Sequence, residues 1–203
     1  MNDRLRTIDV PEGRSGSWAV EKFTVSTEDA KCVRFDESCQ AMQGRPYRPV
    51  PAGTYTKLTR GGQIVMSDTP SELRDLREPV QRATEGHILI NGVGLGVVLQ
   101  AILENPKVEH LTAIEISKDV IALVIPHWHS RYGDRLTVIQ ADAFAYRPLR
   151  GQTYQVVWHD VWDAICTDNL AAMRRLHTKY AKRCEWQGSW CKAQCMQARR
   201  SGW

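Results

Sequence analysis

No apolar run in this chain approaches the roughly 18–20 residues that a membrane-spanning helix needs, so no membrane association is expected. The opening residues Met1-Asn2-Asp3-Arg4 lack the apolar stretch of a secretory signal, which makes a cytoplasmic location the expectation. The six cysteines (Cys32, Cys39, Cys166, Cys184, Cys191 and Cys195) include no C-x-x-C pair. Thiolate metal sites use such tight pairs, so no metal centre is expected, and free thiols are preferred to a disulfide framework. Cys184, Cys191 and Cys195 are spaced so that they could share one helix face. Internal repeats and low-complexity tracts are missing as well.

What is present is ordinary globular chemistry. With 203 residues, 42% hydrophobic and 25% charged, the chain suffices for one domain with a real core and a smaller appendage. The net charge of +4 owes much to Arg174, Arg175, Lys179, Lys182, Arg183, Lys192, Arg199 and Arg200. A solvated basic helix accounts for these, and a phosphate-bearing partner is the less favoured alternative. Trp186, Trp190 and Trp203 nearby invite a nucleic-acid reading through base stacking. Packing of the last helix on the sheet, or contact within a homo-oligomer, is preferred.

The first fifty residues are weakly patterned, with short strands expected at Ala19–Val25 and Val33–Phe35 and a loop at Arg45 to Pro49. Gly53 to Thr59 alternates and is rich in β-formers, and Gln63 to Met66 follows Gly61-Gly62, which predicts a β-hairpin. A helix is expected near Glu72 with Ser71 as its cap, since Pro70 stands in the way of an earlier start. Ser67-Asp68-Thr69 supplies either polar contacts to a ligand or a capping turn.

From residue 87 strands and helices alternate. His87 to Ile90, Leu111 to Ile116, Leu136 to Gln140 and Tyr154 to Trp158 are short apolar runs suited to strands buried on both faces. Helices are expected at Val97–Glu104, from Lys118 to about Ile125 before Pro126, at Asp168 to about Lys182, and after Gly188. The expected fold is α/β and Rossmann-like, a mostly parallel sheet with helices on both faces. No strand-like run follows the fourth, so the sheet looks abbreviated. A β-rich region over residues 1–70 precedes the nucleotide-binding domain of residues 71–203.

The carboxyl ends of these strands carry the chemistry, and that edge is where open α/β sheets bind ligands. The first strand runs into Asn91-Gly92-Val93-Gly94-Leu95-Gly96, a turn in which Gly92, Gly94 and Gly96 let backbone approach a ligand. The second ends at Glu115-Ile116, about twenty residues on, where an acid suits two ribose hydroxyls and repels a 2′-phosphate. Beyond the third come Asp142-Ala143, an acceptor for an adenine amine and a backbone contact for the ring. Beyond the fourth come His159, Asp160 and Asp163, candidate acid–base groups, although alternation could turn His159 away from the ligand. Trp158 and Trp162 could wall such a pocket, or simply pack in the core.

These residues resemble the class I S-adenosylmethionine-dependent methyltransferase superfamily, and within it the spermidine synthase-like branch, over roughly Leu58 to Asp163. The hairpin from Leu58 to Asp68 and the segment Asn105-Pro106-Lys107-Val108-Glu109 look like that branch's own. The resemblance implies S-adenosylmethionine as cofactor, Glu115 on the ribose, Asp142 on the adenine, and Asp160 and Asp163 as the paired aspartates facing an acceptor. Two departures stand out. Leu95 occupies the position of an aspartate that holds the cofactor's amino group in aminopropyltransferases, and Arg74 lies near the place of a missing tyrosine. An Asn/Asp-Pro-Pro-Tyr motif for base amino-methylation and a Pro-Cys nucleophile are also absent. The resemblance therefore implies a methyltransferase acting on an unidentified acceptor, for which a small molecule is preferred to nucleic acid. An aminopropyltransferase and a non-catalytic binding or assembly protein are the alternatives.

Overall fold

The computed structural model describes residues 4–32 and 49–200. The strand expected at Val33–Phe35, loop residues Arg45 to Arg48, Cys39 and Trp203 lie outside the described residues.

The N-terminal part is an antiparallel sheet in the order β1 (Gly13–Ser15), β2 (Trp18–Val25), β3 (Gly53–Arg60) and β4 (Gln63–Ser67). The β3–β4 hairpin turns at Gly61-Gly62, as the sequence predicts. Its register is interrupted: Leu58 faces Met66 but Thr59 faces Ile64, so Val65 is an extra residue, a β-bulge. Asp68 is fully buried just after β4 and accepts from the Ile8 and Thr56 amides at 2.8 and 2.7 Å. Of the two roles open to Ser67-Asp68-Thr69, Asp68 thus takes a structural one.

Two short helices follow, α1 (Pro70–Asp75) and α2 (Arg77–Arg82). The expected start at Glu72 is corrected. Pro70 stands in the first turn, where its missing N–H costs nothing. Ser71 does not cap the helix; its hydroxyl donates to the Pro49 carbonyl at 3.1 Å.

The second sheet holds β5 (Gly86–Asn91), β6 (Val108–Glu115), β7 (Leu136–Gln140), β8 (Tyr154–His159) and β9 (Cys184–Ser189). Its order is β7-β6-β5-β8-β9, and every neighbouring pair is parallel. Helices α3 (Val97–Leu103), α4 (Lys118–Tyr132), α5 (Asn169–Tyr180) and α6 (Lys192–Arg200) complete the Rossmann-like α/β fold.

Three expectations are corrected. A fifth strand does exist. β9, Cys-Glu-Trp-Gln-Gly-Ser, pairs among the described residues on one side, with β8, so no apolar run is needed, and Trp186 stacks on Trp158 with ring centroids 6.4 Å apart. Helix α4 continues through Pro126 to Tyr132 instead of stopping at Ile125. Proline removes one backbone bond there, yet Trp128 beyond it is fully buried and donates its indole N–H to the Leu95 carbonyl at 3.1 Å. A buried side chain of that size is worth several kcal/mol, about as much as the interruption costs. Finally, the cysteines share no helix face: Cys184 is on β9, while Cys191 and Cys195 are buried near α6 with sulfurs 3.6 Å apart.

Strands buried on both faces explain the apolar runs. In β5, Ile88 and Ile90 join the cluster that includes α3, α4 and the Val20 and Leu58 side chains of the N-terminal sheet, while Leu89 joins the cluster under Leu176 and Tyr180 of α5. The first cluster ties the two sheets into one core.

Candidate functional site

The strand order reverses between the parallel neighbours β5 and β8, and the turns leaving these two strands are stitched together. The Asp160 amide donates to the Asn91 carbonyl at 2.7 Å. Gly92 has a φ of 91°, and a Cβ on it would overlap the Asp160 carbonyl. Glycine is required there by the protein's own backbone.

Above this edge lies a cavity of about 770 Å³, within the ~300–1,000 Å³ range of small-molecule sites. The glycine turn reaches it through Gly92, Val93 and Gly94, and the following strand ends through Glu115-Ile116 and Asp142-Ala143. Asp160 and Asp163 enter from the β8 side. Six of the ten residues singled out from sequence for cofactor or catalysis therefore reach the cavity beside Gly92 and Gly94, and two do not. Gly96 caps the start of α3, and His159 is fully buried elsewhere.

Glu115 is only 7% exposed, and its two oxygens accept from the Val93 and Ser117 amides at 2.9 and 2.8 Å. It thereby ties the end of β6 to the glycine turn. A carboxylate has about four acceptor sites, so two remain for a ligand's hydroxyls. Asp142 is exposed and accepts from the Phe144 amide at 2.8 Å. Ile116 is 69% exposed, an apolar side chain presented to the cavity.

Asp160 and His159 are neighbours with opposite surroundings. Burial pushes the Asp160 carboxyl up to about 7; Glu72, Asp75 and Glu115 add to this, and the Trp158 indole opposes it. Burial lowers His159 to about 3, and the cations of Lys179 and Lys192 add to this despite the Gln187 amide. His159 Nδ1 bonds to the Asn91 side-chain amide nitrogen at 2.9 Å, and Nε2 faces the Gln187 carbonyl oxygen at 3.4 Å. Strand alternation accounts for the difference: Trp158 packs in the α3/α4 cluster and Val157 in the α5 cluster, and His159 follows Val157.

The sequence did not single out the cavity's other wall. Trp18, Arg60, Ile64 and Met66 come from the N-terminal sheet, Glu72 from α1, and Trp190 from the turn after β9. Arg60 forms an ion pair with Asp163, its guanidinium 5.3 Å from the Trp18 ring, so the two sheets meet over the cavity. Trp162 walls the cavity, whereas Trp158 lies in the core. The hairpin's position in the sequence was the available signal; which of its side chains point inward depends on the bulge at Val65.

No family model matches this chain, and no curated protein does. Solved structures are similar in fold. A protein described as an RNA methyltransferase from Pyrococcus horikoshii aligns with 64% of this chain and 66% of its own, at 14% identity and a TM-score of 0.48. The 23S rRNA methyltransferase ErmE aligns with 57% of this chain and 44% of its own, at 14% identity and a TM-score of 0.45. Coclaurine N-methyltransferase, bound to N-methylheliamine and S-adenosylhomocysteine, aligns with 47% of this chain and 28% of its own, at 17% identity and a TM-score of 0.39. The chain spans less than two thirds of the length of each.

Proposed function

We propose that this chain is an S-adenosylmethionine-dependent methyltransferase with a small-molecule acceptor. The observation that carries the reading is convergence: the glycine turn, Glu115, Asp142 and Asp160 come from four different strand ends and line one cavity. The residues fit the cofactor. Glu115 keeps two acceptor positions for ribose hydroxyls, Asp142 accepts from the adenine amine, and Ile116 and Ala143 flank the ring. When bound, S-adenosylmethionine supplies an electrophilic methyl group on a sulfonium.

The chain's own contribution is positioning and proton handling. Asp160, held near neutrality, takes the acceptor's proton. Asp163, paired with Arg60, closes the cavity over the acceptor. His159, neutral and buried, is assigned to positioning Asn91 rather than to acid–base work. Five carboxylates line the cavity against one arginine, which disfavours a phosphate-rich acceptor such as nucleic acid.

The Leu95 side chain is fully buried, so this position offers a ligand only its N–H. An N–H suits the carboxylate of S-adenosylmethionine and offers nothing to the ammonium of the decarboxylated cofactor. The hairpin over the cavity keeps aminopropyl transfer as the second reading, because it matches the spermidine synthase-like resemblance. Calorimetric titration separates the two. Tighter binding of S-adenosylmethionine than of its decarboxylated form is expected; the reverse order favours aminopropyl transfer, and no binding of either removes both.

A further inference from the structure

We propose that Met66 is a gate on the glycine turn, a thioether that the methionine arm of the cofactor displaces on binding. The inference rests on the cofactor reading above. Three features point to it. The Leu95 amide donates to Met66 Sδ at 3.1 Å, so the turn's N–H is already occupied by the protein's own sulfur. Gly94, at a φ of 52°, has no Cβ, and a Cβ built there would overlap that sulfur. The bulge at Val65 immediately precedes Met66, and bulges re-aim the side chains beside them.

The exchange is favourable on elementary grounds. A thioether is a weak acceptor, whereas a carboxylate makes a charge-assisted bond roughly twice as strong as a neutral one. Methionine has three rotatable bonds and repacks easily, so its sulfur leaves without any movement of β4. Met66 is half-buried and lines the cavity, which gives it room to turn. The nucleoside half needs no such exchange, because Glu115 and Asp142 sit on other strand ends. Met66 thus acts on ligands that carry the amino-acid arm and is indifferent to those that lack it.

Two ligands and two variants test this. S-adenosylhomocysteine carries the arm, and 5′-methylthioadenosine lacks it. Met66→Ala frees the Leu95 N–H, and affinity for S-adenosylhomocysteine should rise about three- to tenfold, the worth of one weak hydrogen bond, with 5′-methylthioadenosine unchanged. Met66→Leu keeps the bulk without the acceptor and should move the same ratio in the same direction. In the wild-type protein labelled at the methionine methyl groups, the Met66 resonance should shift with S-adenosylhomocysteine and stay put with 5′-methylthioadenosine. A ratio left unchanged by both variants, or lowered affinity for both ligands, overturns the gate while leaving the cofactor reading intact. No binding of either ligand by wild type or variants overturns the cofactor reading, and the gate falls with it.

Discussion

His159 and Asp160 are adjacent in sequence, yet they sit on opposite faces of one strand end. On the α5 side, His159 is sealed among Asn91, Gln187, His177 and Tyr180, and burial drives its pKa down to about 3. On the cavity side, Asp160 is driven up to about 7. The same cause, loss of water, moves an acid and a base in opposite directions, leaving His159 neutral and Asp160 about half ionised near pH 7. A lowered histidine is useless as a base at that pH when sealed from ligand, whereas a raised aspartate beside a cavity is poised to accept a proton. Which face a residue occupies matters more here than which residue it is.

The largest expected effect comes from charging the sealed side. His159→Lys places an unpaired cation in the core and should cost about 3–5 kcal/mol in a urea melt. Asp160→Asn, on the cavity side, removes a carboxyl whose ionisation the fold penalises and should cost no stability at pH 7. Equal losses from the two would break the comparison.

Acidity sharpens it further. His159, lowered in the fold, contributes stability that is complete above the unfolded value of 6.5 and is lost as pH falls toward 3. Asp160, raised in the fold, contributes in the opposite sense: its share is complete below 3.8 and is lost as pH rises toward 7. Between pH 4 and 6.5 the two slopes oppose each other. Asp160→Asn removes one of them, so relative to wild type the variant's stability should climb with pH in that window, by up to about 1.4 kcal/mol per pH unit. Denaturant midpoints across the window provide the check, and parallel curves for the two proteins would contradict the assignment.

Glu115→Ala should weaken S-adenosylhomocysteine binding by about 1–3 kcal/mol, through lost ribose contacts and a loosened Val93 amide. Smallest is Arg60→Ala. Its ion pair with Asp163 is half-exposed on both sides, so a stability loss of no more than about 1 kcal/mol is expected by thermal melt.

Much of this contrast could be anticipated from the amino acids. The buried strands announce themselves through runs such as His87-Ile88-Leu89-Ile90, and period-two alternation already raised the chance that His159 turns away. The glycine turn and the acids after each strand were visible for the same reason, since close backbone approach and carboxylates leave residue-level signatures. Other features left none. β9 is an edge strand held by backbone pairing and the Trp186 stack, so no apolar run marks it. Continuation of α4 past Pro126 depends on where Trp128 is buried, a long-range contact with Leu95. Met66 and Arg60 reach the cavity from the bulged hairpin and Trp18 from the neighbouring β2, placements that depend on how the N-terminal sheet packs over the strand ends.

The central claim, that the cavity side binds an adenosine cofactor while the His159 side is sealed, is tested most directly by amide NMR during titration with S-adenosylhomocysteine. Saturating shifts are predicted at Val93, Gly94, Ser117 and Phe144, with the amides of His177, Tyr180 and Gln187 nearly unmoved. No shifts at millimolar ligand, or the largest shifts around His177 and Gln187, would contradict it.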